Sequence, residues 1–68
     1  MQLALRINGE PCVLEGPLTV AEWVSRQGYV GKRIAVERNG EIVPRSQHPE
    51  TLLQSGDQLE IVVAVGGG

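Results

Sequence analysis

The sequence predicts an α+β domain, a mixed sheet of about five strands with one main helix packed across one face. Three observations predict it. Asn8-Gly9 and Asn39-Gly40 each separate strand-like runs, and Asn-Gly is the strongest short hairpin signal because a type I′ turn needs positive φ at both central residues. Between the hairpins, Thr19-Val20-Ala21-Glu22 fits a helix capping box. Near the end, Gln58–Val65 alternates with the period of two of a strand that buries one face.

Taken in order, Met1, Leu3, Leu5 and Ile7 alternate with Gln2, Ala4 and Arg6 as a first strand. A second strand is expected over about Cys12–Glu15, with Pro11 at its start, where a missing N–H does least harm. Gly16-Pro17 ends it. Thr19 then opens a helix of about two turns, with Leu18 and Trp23 placed as a hydrophobic staple and Gly28 as the stop. Val20, Trp23 and Val24 share its apolar face. Arg33–Arg38 reads as a third strand with Ile34 and Val36 on one side, and Glu41–Val43 as a short fourth. Pro44 breaks the pattern. Arg45–Leu53 is a loop or short helical turn with Leu52-Leu53 dipping into the core, and Ser55-Gly56-Asp57 is a tight turn before the last strand. A hairpin, a crossing helix and further strands allow the first and last strands to lie side by side in parallel. That is the β-grasp plan of ubiquitin. Residues 1–65 are expected to form the domain and 66–68 a flexible glycine tail.

The 68 residues bound the function as well. A chain this short buries only about 60% of its unfolded surface, so a deep substrate cavity would consume most of the core. This argues for a module serving a larger partner rather than an enzyme. The net charge is −2 and the six basic residues are scattered along the chain, with Trp23 and Tyr29 the sole aromatics. Nucleic acid is therefore a poor partner. No secretory leader is expected, and the longest apolar run, Ile61–Val65, is far short of the ~20 residues of a membrane span. A cytoplasmic protein with no membrane partner is the expectation.

Few side chains suggest chemistry. Cys12 is the single cysteine and has no neighbouring histidine, lysine or arginine in sequence to activate it. It reads as a small apolar side chain. His48 is the single histidine, beside Pro49, and reads as a loop residue, since a zinc site needs three or four ligands; no metal site is expected. Gly31-Lys32 fails as a phosphate loop, with Arg26 where a glycine is needed and Arg33 where Ser or Thr is needed. Glu22 is explained by capping and Asp57 by its turn. Glu10, Glu37 and Glu41 read as solvated charges beside the hairpins. Val62 and Ala64 fall on the face of the last strand opposite Leu59, Ile61, Val63 and Val65. A sheet covered by one helix keeps its other face wet, so this apolar pair either marks a docking surface or is buried by curling of the sheet.

The chain then ends Gly66-Gly67-Gly68. Two readings stand on composition alone. One is a frayed terminus or linker remnant. The other is a slim arm that carries the terminal carboxylate into a partner's active site, for which residues without Cβ are suited.

Val43-Pro44-Arg45, Ser55-Gly56-Asp57-Gln58 and the strand ending Ala64-Val65-Gly66-Gly67-Gly68 resemble the ThiS family, sulfur carrier proteins of thiamin biosynthesis. Asn8-Gly9 and Leu18-Thr19-Val20 match as well, and the resemblance covers the whole chain. His48, where the family often has an aromatic, and Val62, where a polar residue is common, depart from it. The resemblance implies that an E1-like adenylyltransferase uses ATP and Mg to adenylate the Gly68 carboxylate. A sulfur donor, supplied by a cysteine desulfurase system, then displaces AMP and leaves a thiocarboxylate on Gly68. Thiazole synthase takes the sulfur from it. Gly66 and Gly67 provide reach, and the domain itself supplies docking surfaces, no catalysis and no stably bound cofactor.

Three alternatives share parts of this pattern. The small subunit of molybdopterin synthase has the same fold and tail but tends to be longer. A protein modifier would join Gly68 to lysine amines, and Lys32 is the one lysine here. A regulatory binding domain would make no use of the tail.

Overall fold

The computed structural model describes residues 1–29 and 32–63. Both Asn-Gly pairs form the expected turns, with Asn8 and Gly9 at φ 51° and 81° and Asn39 and Gly40 at φ 53° and 86°. The first turn joins strand β1 (Gln2–Ile7) to β2 (Glu10–Glu15), and the second joins β3 (Ile34–Arg38) to β4 (Glu41–Ile42). Strand β5 (Gln58–Val63) lies between the two hairpins, giving the order β2-β1-β5-β3-β4. It runs parallel to β1 and antiparallel to β3. The first and last strands are therefore neighbours, as the crossover argument allows.

Strand β2 starts two residues earlier than the sequence suggests and takes in Pro11. It is an edge strand, so Pro11 can turn its missing donor away from the ladder. Helix α1 (Val20–Arg26) has the full capping box: the Thr19 hydroxyl accepts from the Glu22 amide, and the Glu22 carboxylate accepts from the Thr19 amide. Gly28, at φ 78°, turns the chain out of the helix. Its N–H donates to Ser25 O and that of Tyr29 to Val24 O, the paired bonds of a Schellman stop.

The helix lays Val20, Trp23 and Val24 over the sheet, against Leu3, Leu5, Val36, Leu59 and Ile61. Leu18 and Leu53 complete the core. Leu52 does not join it and is 53% exposed. The segment is extended there, bridging Thr19 and donating from Leu53 N to Leu18 O, so neighbouring side chains point opposite ways. The stretch before it is a 3₁₀ helix over Arg45–Glu50, with Pro49 inside.

Candidate functional site

The end of β5 decides how the C-terminal segment leaves the domain. β1 pairs with β5 at Arg6–Gln58 and Ile7–Leu59, then turns away at Asn8. Asn8 prolongs the contact by one step: its N–H donates to Leu59 O and its Oδ1 accepts from Ile61 N–H, both at 2.8 Å. Beyond Ile61 the described neighbour of β5 is β3 alone, up to the pair Ile34–Val63. Val63 was expected on the buried face; it is 42% exposed, because it sits past the last contact with β1. Val65, Ala64 and the three glycines Gly66, Gly67 and Gly68, named above as the arm and its docking partner, lie outside the described residues.

The opposite end of β5 is tied down. Asp57 is only 5% exposed. Its Oδ2 accepts from Arg38 Nε at 2.9 Å and from the Gln54 amide at 2.8 Å, and its Oδ1 accepts from Asn39 Nδ2 at 3.1 Å. Asn39 also accepts from the Gln58 amide through Oδ1 and donates its own N–H to Gln58 O. Burial pushes the Asp57 carboxyl up, but the hydrogen bonds from Arg38, Gln54 and Asn39 and the arginine charge outweigh it and hold the group below the ordinary carboxylate value. The sequence accounted for Asp57 by its turn. That role is real, but the side chain also ties its own turn to the β3–β4 hairpin, a role that local reading has no means to reveal.

One face of the sheet carries no helix. Register places Val62 beside Ala35, Glu60 beside Glu37, and Ile42 on the far side of Glu37. Val62 is 58% exposed, so of the two readings offered for it, burial by curling is wrong. The pairing of two carboxylates directly across strands is unfavourable, and no cation offsets it among the described ion pairs, which are Met1–Glu15 and Arg38–Asp57. Val62 and Ile42, at 58% and 59% exposure, are thus apolar side chains in solvent on either side of the acidic pair.

The other candidates have structural roles. Cys12 is half-buried in β2, opposite Leu5. His48 is 7% exposed rather than a solvated loop residue, with Nε2 3.1 Å from Val43 O; it closes the 3₁₀ helix against the end of β4. Among the described residues no group of His, Cys, Asp and Glu is placed to hold a metal ion. No described helix is long and apolar enough to cross a membrane.

Comparison with known proteins agrees with this geometry. The crystal structure of the thiamine biosynthesis protein ThiS from Geobacter metallireducens superposes with a TM-score of 0.79 at 32% identity, covering all of both chains. The sulfur carrier protein ThiS of Thermus thermophilus is 37% identical over 62 residues, 91% of this chain and 95% of that one. A thiazole synthase from Paramagnetospirillum magneticum is 41% identical over 66 residues. This chain spans only about a fifth (20%) of that protein's length. The ThiS family itself matches residues 5–68, a span that includes all three terminal glycines. The chain belongs to the ThiS family.

Proposed function

We propose that this protein is a sulfur carrier for thiamin biosynthesis and that its working atom is the carboxyl carbon of Gly68. The observation that carries the reading is the family match running through the last glycine. In this reading the chain is a co-substrate and its partners supply the catalysis.

The chemistry follows from the weakness of a carboxylate as an electrophile. An E1-like adenylyltransferase joins the Gly68 carboxylate to the AMP portion of ATP, with Mg neutralising the phosphates and pyrophosphate leaving. The acyl carbon now bears a good leaving group. Sulfur from a persulfide-bearing donor forms a C–S bond there as the C–O bond to AMP breaks, and a thiol reduces the remaining S–S bond. The product is a thiocarboxylate, a nucleophilic sulfur at the end of an arm made by Gly66 and Gly67. Glycines suit the arm because they fill a channel with backbone alone.

The domain contributes presentation. β5 is anchored at Gln58 and past Ile61 keeps β3 as its described neighbour as far as Val63, which lies at the edge of the helix-free face. Val62 and Ala64 would meet the partner first. The match to part of a thiazole synthase supports that enzyme as the acceptor of the sulfur. It also makes a free terminus at Gly68 part of the proposal, since the same domain occurs within a longer chain.

Reconstitution tests the pathway. The chain, carrying sulfur, is mixed with thiazole synthase and its small substrates, and separately with the large subunit of molybdopterin synthase. Sulfur appearing in thiazole and not in the dithiolene product is the expected result. Transfer to the molybdopterin precursor alone would move the protein to the other pathway.

A further inference from the structure

The six basic residues look scattered in the sequence, and the fold gathers four of them. Lys32 and Arg33 immediately precede Ile34, the partner of Val63 at the exit of β5. Arg45 joins them, donating from Nη2 to Lys32 O at 3.2 Å. Arg6 does not join them: it stands opposite Gln58 at the start of β5, with its N–H donating to Asp57 O and its Nη1 to Gly9 O at 3.1 Å. Arg26 lies in the last turn of α1, beside Gln27, which lines the same groove as Asn8 and Ile61. The sixth, Arg38, is bound to Asp57 at the opposite end.

The acids are distributed the other way. Asp57 and Glu41 flank the far turns, Glu15 and Glu22 lie at the end of β2 and in the first turn of α1, Glu50 is the last residue of the 3₁₀ helix, and Glu37 with Glu60 occupies the middle of the open face. Glu10 pairs with Ile7, level with Leu59 near the start of β5. All these charged residues are among the described ones. A chain of net charge −2 is thus strongly polarised along β5, positive where the C-terminal segment leaves.

We propose that this basic rim is a docking surface for an acidic protein rim around the mouth of the active site that receives the glycine arm. The inference rests on the carrier reading. Five residues follow Val63 and extend at most about 17 Å. When the arm is extended into a partner, the rim therefore stays outside, too far back to touch a phosphate on Gly68, and meets the surface around the entrance. Like charges clustered about the arm orient the encounter so that the arm leads. Nucleic acid is the poorer partner: Trp23 is buried and Tyr29 half-buried, so no aromatic platform accompanies the charge.

The test is the association rate with the activating enzyme, by stopped flow, at ionic strengths from about 0.01 M to about 0.15 M. The chain is compared with a Lys32→Glu/Arg33→Glu variant, whose changed side chains are exposed, and with Glu50→Lys at the far end. The expected result is a rate that falls about tenfold with salt, a variant about tenfold slower at low salt with a flattened salt dependence, and a Glu50→Lys chain within about twofold of the parent. Normal binding and sulfur loading with rates indifferent to salt and to the double reversal would overturn the rim and leave the carrier reading standing. A parent chain that the active enzyme never adenylates would overturn both. Tight binding of a single-stranded oligonucleotide at physiological salt, lost in the double variant, would overturn the protein rim in favour of a nucleic-acid surface.

Discussion

The two ends of β5 are built to opposite ends of one purpose. At Gln58 the strand is held by β1, by β3 and by the carboxylate of Asp57, which bonds Arg38, Asn39 and the Gln54 amide. At Val63 it has one described neighbour strand, an exposed side chain and a positive rim. Polar bonding is concentrated at the start of the strand and thinned at its end, where on the proposed carrier reading the chain is handed to another protein. Stability and presentation are thus assigned to different residues, and each can be changed without the other.

That separation can be broken deliberately. The largest effect belongs to the terminus: deleting Gly67 and Gly68 should abolish sulfur loading while the urea midpoint stays where it was. Asp57→Ala should do the reverse. It leaves Arg38 without its partner and strands the Gln54 amide, at a cost of about 2–4 kcal/mol in urea unfolding. For a domain this small that is a large fraction of the total. Where the variant remains folded, it should still load.

Acid should act on the anchored end first. The Asp57 carboxyl titrates below the value of 3.8 that it has when free. Its stabilising contribution is therefore complete above that value and fades as pH falls through the lower, folded one. Glu22, lowered chiefly by the Thr19 amide, titrates in the same sense. Unfolding midpoints measured from pH 6 down to about pH 2 should drop steeply at the acid end for the parent chain, and less steeply for Asp57→Asn. The smallest change in stability is expected at the exit: Val62→Ser, exposed and outside the core, should shift the unfolding free energy by less than about 0.5 kcal/mol. It should nonetheless weaken binding to the activating enzyme, read by titration calorimetry.

The local features were legible in the sequence because they have local causes. Both Asn-Gly turns, the Thr19–Glu22 box and the Gly28 stop need only residues a few positions apart, and each stands where it was expected. The parallel neighbourhood of the first and last strands was allowed by the rules of connection and is present. What was not legible depends on residues brought together from afar. Asp57 looked like a turn residue because Arg38 and Asn39 are 19 and 18 positions away. Leu52 and Val63 were assigned to the core from apolar character and alternation, yet one lies on an extended segment with its neighbour turned inward and the other lies past the end of β1. The basic rim draws on α1, the residues just before β3 and the 3₁₀ helix, and no single stretch of sequence contains it.

The most direct measurement is the intact mass of the chain after incubation with ATP, magnesium, a cysteine desulfurase system and the cognate E1-like enzyme. A chain lacking Gly68 runs beside it. The account predicts a gain equal to sulfur replacing one oxygen, localised to Gly68 by fragmentation, and no gain in the shortened chain. An unchanged mass with the activating enzyme demonstrably active, or an equal gain in the chain without Gly68, would contradict it.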